Sequence, residues 1–366
     1  MPDLVFLGAG RVGSLALRIF LKDLSNMGKF NILVLDKVDR SKLVDELGVE
    51  FKKVISIEDI LENLGGAQLV ATALPSRIAF KITRKILEKG YNIVDVSFIP
   101  EDPYLTEDIV KDKKVFYIVD AGFAPGYSNL VAGYFYEKLG RDIESLIIHV
   151  GGIPVEPVPP IGYVITWNPV DLIEEYTRPA RIIENKTIKQ VDPLAKIHKI
   201  TISELGEFEG FYSDGLRTLL RNIRARYMAE ITIRHKNHLF IMKKLRDLGF
   251  FDDKPLQINN VSISPKIFTA RVFEEKLSMN VRDIAILEVI ARNENSVARH
   301  LSYLYGGIDK PFATTMYTAL VFAKTIDLAL KKQLDPGILP LEKLWMFKQE
   351  YDSFLSNYLV IKEDIS

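Results

Sequence analysis

The chain has 366 residues, of which 48% are hydrophobic and 26% charged, with 48 basic residues balancing 48 acidic ones. That length admits two domains with large cores, and a net charge of zero supplies no overall field toward nucleic acid or an anionic membrane. The lack of cysteine excludes disulfides, thiolate nucleophiles and cysteine-based metal sites, and no apolar run is long enough to span a bilayer.

The N-terminal segment carries the strongest signal. The run Leu4-Val-Phe-Leu7 ends in Gly8-Ala-Gly10-Arg-Val-Gly13, and Val12, Leu15, Ala16, Ile19 and Phe20 then continue at helical spacing. Each glycine has a task in a strand–turn–helix unit. Gly8 permits the tight turn, Gly10 lets the backbone approach a pyrophosphate, and Gly13 allows close helix–strand packing. The helix start then holds the phosphates, so Gly8, Gly10, Arg11, Val12 and Gly13 are the expected cofactor-binding residues. With a strand beginning this early no signal peptide is expected, which fits a cytoplasmic enzyme.

Further strands are expected at 32–35, 49–54, 69–73, 93–96 and 115–119, with amphipathic stretches at 11–24, 41–47, 57–64, 78–89 and 105–112. This alternation predicts an α/β fold, a doubly wound (Rossmann) parallel sheet with helices on both faces. Asp36 closes the second strand, where a carboxylate binds the adenosine ribose hydroxyls and repels a 2′-phosphate. Residues 25–30 lengthen the loop before that strand. NAD is therefore favoured over NADP, although Lys37 and Arg40 soften the preference. A flavin or S-adenosylmethionine site can use a similar turn, but six strands in this rhythm favour nicotinamide. Leu74-Pro75-Ser76, after the fourth strand, is expected near the nicotinamide ribose.

The texture changes at Asp120-Ala-Gly122-Phe-Ala-Pro125-Gly126-Tyr-Ser-Asn129, a turn leading into a helix at 130–139. From there to Gly307 the pattern is α+β. Hairpins are expected around Glu184-Asn185-Lys186 and Asn293-Glu294-Asn295. Asn168-Pro169 and Ser264-Pro265 read as helix caps. The proline-rich stretch 153–161 reads as an ordered loop, and 239–248 as a helix stopped by Gly249. A long helix at 311–332, ended by Asp335-Pro336-Gly337, is expected to return to the nucleotide domain. The division expected is a dinucleotide-binding domain at 1–122 completed by 308–350, with a substrate and dimerisation domain at 123–307 built on a mixed sheet.

Ala121-Gly-Phe-Ala-Pro-Gly-Tyr-Ser-Asn129, Val150-Gly-Gly-Ile-Pro154, Pro159-Pro-Ile-Gly-Tyr163, Glu175-Tyr-Thr-Arg-Pro-Ala-Arg181 and Phe211-Tyr-Ser-Asp-Gly-Leu-Arg-Thr-Leu219 follow one another in order. With Leu248-Gly-Phe-Phe251, Ser264-Pro265, Phe268-Thr-Ala-Arg271 and Thr314-Thr315 they closely resemble the saccharopine dehydrogenase-like family, and within it the lysine 6-dehydrogenases. The resemblance implies an NAD-dependent oxidoreductase acting at C–N bonds of a small amino-acid substrate, in a homodimer or higher homo-oligomer. For lysine 6-dehydrogenases it implies oxidative deamination of the L-lysine ε-amino group to allysine, which cyclises to a piperideine carboxylate. The alternatives are a saccharopine-type or carboxynorspermidine-type enzyme reducing an imine, and a catalytically inactive NAD-binding regulator. Ala124 stands where the saccharopine reductase branch often has an acidic residue. Ile233-Arg-His-Lys-Asn-His238 departs from the family pattern, since only Arg234 and His238 hold their places and His235 and Asn237 replace an aromatic residue and a glycine.

Amine oxidation needs a proton-transfer group that works near neutral pH. Of the five histidines, His149, His198 and His300 lie in strand-like runs and read as structural. His235 and His238 lack a carboxylate at ligand spacing, so no metal is expected. His238 and Tyr212 are the catalytic candidates, with a polar helix terminus and a packed aromatic as their structural alternatives. Arg217, in the first turn of an expected helix, suits a substrate carboxylate; Arg178 and Arg181 are weaker candidates for that task. Asp95, ending the fifth strand, either accepts from the substrate ammonium or caps the following turn.

Overall fold

Six of the strands close into one parallel sheet. The structure, a computed structural model, describes residues 1–24 and 30–366, so most of the loop at 25–30 lies outside the described residues. The chain divides into two compact units, residues 1–134 with 315–357 and residues 135–314 with 358–366.

In the first unit the strands β1 (Leu4–Leu7), β2 (Ile32–Asp36), β3 (Glu50–Lys53), β4 (Leu69–Thr72), β5 (Ile93–Asp95) and β6 (Phe116–Ile118) lie in the order β3-β2-β1-β4-β5-β6. A seventh short strand, Gly337–Ile338, pairs in parallel with β6. β1, β4, β5 and β6 are buried throughout, as strands covered on both faces must be. On one face Val5, Leu7, Val70, Ile82, Ile86 and Ile93 share a core. On the other, Phe6 meets Phe322 of the long helix Ala313–Lys331 edge to face. The winding reverses between β1 and β4, the point at whose strand carboxyl ends a doubly wound sheet binds its ligand.

The second unit is built on a nine-stranded mixed sheet. Its members include β7 (Ile143–Pro154), β8 (Ala180–Glu184), β9 (Thr187–Val191), β10 (His198–Ile202), β11 (Gly206–Ser213) and β12 (Ala225–Arg234). The hairpin strands Asp283–Arg292 and Val297–Gly306 and the C-terminal strand Val360–Ile365 complete it. β12 and β7 are parallel, while β7 and Asp283–Arg292 are antiparallel. Both expected hairpins form, and Asn168 and Ser264 cap the helices Pro169–Glu175 and Pro265–Leu277 through their side chains.

One charge organises this unit. Arg234, at the end of β12, is 2% exposed. Its Nη2 donates to Glu175 Oε2 at 2.7 Å, its Nε to Tyr176 Oη at 3.2 Å, and its Nη1 to the Ile233 carbonyl. The guanidinium also lies 4.7 Å over the Tyr163 ring and 5.5 Å over that of Phe211. Truncating one partner of a buried pair leaves the other's charge uncompensated. Glu175→Gln, which leaves the buried guanidinium without its counter-charge, is therefore expected to cost about 3 kcal/mol, and Arg234→Ala, which removes the charge together with its bonds, a similar amount. Urea denaturation measures both, and a loss below about 1 kcal/mol for Glu175→Gln would show that Arg234 does not depend on this pair.

Candidate functional site: a glycine turn in one unit and a buried polar network in the other

The glycine turn of the first unit sits at the reversal of the sheet. Gly8 has φ +95, and a Cβ there would meet the Ala73 carbonyl oxygen at 2.4 Å. At Gly13 a Cβ would meet the Gly8 carbonyl oxygen at 2.0 Å. Both positions are closed to any side chain. At Gly10 nothing lies within 4 Å, so the space beside the start of the helix Arg11–Ile19 is open. That helix has no side-chain cap, and its first N–H groups face a site suited to an anion. Arg11 is exposed and Val12 half-buried.

Asp36 closes β2 and is buried. Its Oδ2 accepts from the Ala9 N–H at 2.8 Å and from Arg40 Nε at 3.2 Å, and its Oδ1 accepts from the Val38 N–H at 2.8 Å. A carboxylate offers about four acceptor directions, so one remains for a ribose hydroxyl. Lys37 is exposed beside it. Leu74 reaches the glycine turn, with its Cδ2 3.4 Å from the place a Gly8 Cβ would take, and Pro75 precedes the helix Ser76–Glu88. These residues fit a dinucleotide: an open glycine cradle, a helix start and a carboxylate at the second strand end.

Asp95 is the turn cap, and its assignment to the substrate is corrected. It is fully buried, accepts from the Ser97 N–H at 2.8 Å, and accepts from Tyr117 Oη and Thr83 Oγ1 at 3.2 and 3.3 Å. Burial pushes its pKa up. A carboxyl enclosed by its own donors has no face for a ligand.

In the second unit the two expected catalytic residues are not brought together. Phe211 and Ser213 point to the face of the sheet that carries Arg234, so Tyr212 between them points to the opposite face. There its Oη lies 3.2 Å from Tyr227 Oη, and its ring packs edge-on against His198. His238 belongs to the Arg234 network instead. It is 1% exposed, its Nδ1 donates to the Ile161 carbonyl at 2.8 Å, and its Nε2 therefore accepts from Tyr176 Oη at 2.9 Å. Burial, reinforced by Arg234, lowers its pKa to about 3. A ring with both nitrogens engaged and no proton affinity near neutrality is not the general base. The structural alternative holds for both residues.

This shift has a measurable sign. Between the ordinary value of 6.5 and about 3 the unfolded chain binds a proton that the folded chain refuses. Stability is therefore expected to fall as pH drops through that window, and less steeply in His238→Gln than in the natural protein. Equal slopes in pH-dependent denaturation would place the titration elsewhere.

Arg217 is corrected in position. It precedes the helix Leu219–Asn222 instead of lying in its first turn, it has φ +50, and it is 9% exposed. Arg178 is held by Glu174 one turn away. Arg181 is committed to Asp214, with Nε and Nη2 donating at 2.8 and 2.9 Å and the Arg181 N–H adding a third bond. These bonds fix the turn that presents Arg217. The residues missed in the sequence are Glu175, Tyr176 and Glu230. The first two lay inside a quoted motif, but nothing in their spacing shows that Arg234 meets them.

Residues 235–238 line an open cavity of about 670 Å³ facing the 157–162 loop. Asn237 has φ +71, so it occupies the left-handed conformation that explains a family glycine there, and asparagine tolerates it. His235 Nε2 donates to the Pro154 carbonyl at 2.7 Å. Among the described residues no group of three histidine or carboxylate side chains could hold a metal.

The fold and the glycine turn define a two-unit protein whose first unit has the architecture of a dinucleotide-binding domain. Residues 122–357 match the model of the saccharopine dehydrogenase C-terminal domain, and the chain belongs to the saccharopine dehydrogenase family. Its fold is similar to that of an apo saccharopine dehydrogenase (L-Glu forming) from Saccharomyces cerevisiae, with a TM-score of 0.81, 15% identity and 100% of both chains covered. It is also similar to the homospermidine synthase of Legionella pneumophila in complex with NAD, with a TM-score of 0.65 and 17% identity over 100% of this chain and 91% of that one.

Proposed function

We propose that the chain is an NAD-dependent oxidoreductase acting on the C–N bond of an amino acid, with oxidative deamination of the L-lysine ε-amino group as its reaction. The open position at Gly10 between two glycines that admit no side chain carries the cofactor part of this reading. Gly8, Gly10, Arg11, Val12 and Gly13 hold the pyrophosphate, Asp36 and Lys37 border the adenosine ribose, and Leu74 and Pro75 border the nicotinamide side. When bound, NAD supplies the hydride acceptor.

The chain's own residues bind and orient. Arg217 takes the substrate carboxylate, presented by a turn that Arg181 holds through Asp214. Arg234, Tyr176 and His238 fix the surrounding aromatic side chains without exchanging protons. Membership of the family supports chemistry at a C–N bond, and the saccharopine dehydrogenase and NAD-bound homospermidine synthase folds are in keeping with it. The altered loop at His235–His238 favours a second reading, in which the enzyme reduces an imine of the saccharopine or carboxynorspermidine type.

NADH formation on adding L-lysine tests the first reading. Its absence, with NADH consumed or formed on saccharopine or on an amine–carbonyl pair, selects the second. NAD binding without turnover on any of these would leave a regulator.

Two substitutions probe the residues. Gly10→Ala is expected to leave the melting temperature unchanged while weakening NAD about tenfold, because its Cβ meets no protein atom. A large loss of stability with NAD affinity retained would remove the pyrophosphate assignment. Arg217→Ala is expected to raise KM for the amino acid more than it lowers kcat, as for ground-state carboxylate binding. Steady-state kinetics with KM unchanged would count against that role.

A further inference from the structure

Glu230 stands on β12 opposite Ser213 on β11, on the same face of the sheet as Arg234. It is 4% exposed. Its Oε1 accepts from Ser213 Oγ at 2.7 Å, and that hydroxyl accepts from Thr232 Oγ1 at 2.8 Å. Its Oε2 is buried without a well-formed hydrogen bond, and the Gly215 N–H bears on the carboxyl from the facing turn. A buried polar atom without a good hydrogen bond is costly and marks a missing group.

The charges around it narrow what that group is. Glu175 and Asp214 both bear on Glu230, and each has its own cation, in Arg234 and Arg181. Among the described residues no cation pairs with Glu230. Burial, with Glu175 and Asp214 adding repulsion, raises its pKa to about 8.

The turn beside it supplies the second constraint. A Cβ on Gly215 would lie 1.9 and 2.1 Å from the two carboxyl oxygens, so only glycine lets the backbone pass. Arg217 follows two residues later on the same turn. In an α-amino acid the ammonium and the carboxylate share one carbon, so their receptors must be neighbours. The Glu230 carboxyl lies against Gly215, and the backbone of Arg217 belongs to the same turn.

We propose that Glu230 binds the α-ammonium of the amino-acid substrate while Arg217 takes its α-carboxylate. The assignment rests on the amino-acid reading of the substrate and adds the residue that distinguishes an α-amino acid from a simple carboxylic acid or amine. Glu230 must ionise to receive the ammonium, so binding near pH 7 releases a proton.

Calorimetry on the full chain with NAD present tests it, using L-lysine and 6-aminohexanoate, which is lysine without the α-ammonium. Glu230→Gln keeps an acceptor for Ser213 and removes the charge. It is expected to weaken L-lysine about tenfold and leave 6-aminohexanoate within about twofold. Proton release, read from buffers of different ionisation enthalpy, is expected for the natural protein with L-lysine and lost in Glu230→Gln. Gly215→Ala, which displaces the carboxyl, is expected to reproduce the affinity pattern where it folds.

Equal loss for both ligands, or an unchanged affinity for L-lysine, would overturn the assignment and leave Oε2 to a structural water. Failure of the natural protein to bind L-lysine, ornithine or saccharopine would overturn it together with the amino-acid reading. Glu230-dependent binding of an α-amino acid without NADH formation would support the assignment while the proposed oxidation fell.

Discussion

Arg234 is the charge on which the second unit depends. Burying a guanidinium is costly unless its donors are matched, and here a carboxylate, a phenol and a carbonyl accept from it while two rings lie near its face. Those partners come from the helix Pro169–Glu175 and the residue after it, from the loop before Trp167 and from β11. One ion therefore fixes the mutual placement of four segments. His238 extends the chain of bonds through Tyr176, which explains why it keeps its place without a catalytic duty.

The same logic separates the acids of this unit into two kinds. Glu175 and Asp214 are matched by Arg234 and Arg181, and their work is to hold the scaffold. Glu230 has no cation, only the Ser213 hydroxyl on Oε1 and the Gly215 N–H nearby, and its Oε2 is without a well-formed hydrogen bond. In a low-dielectric setting that difference divides a structural carboxylate from one awaiting a ligand. The first unit shows a parallel contrast among its glycines. Gly8 and Gly13 are required by the protein's own backbone, whereas Gly10 is required by nothing within the protein.

Much of the fold was legible in the chain because it is written in local patterns. Alternating apolar runs and amphipathic stretches gave the doubly wound sheet, and Asn168-Pro169, Ser264-Pro265 and the two hairpin turns marked their elements within a residue or two. The catalytic candidates were not legible in this way. Tyr212 and His238 have suitable chemistry, but a strand's two-residue period sends Tyr212 to the opposite face from Phe211 and Ser213. No spacing along the chain says that Tyr176 and the Ile161 carbonyl will saturate both nitrogens of His238.

By itself the sequence determined the strand–turn–helix unit at Gly8–Gly13, the carboxylate at Asp36 and the family to which the later motifs belong, since all of these are short-range or ordered along the chain. Only the tertiary structure decided which polar groups are already satisfied. It gave Asp95 to a turn, Arg181 to Asp214 and His238 to Tyr176, and it left one oxygen of Glu230 without a well-formed hydrogen bond. Satisfaction of a buried group depends on partners tens of residues away, and residue type alone carries no record of them.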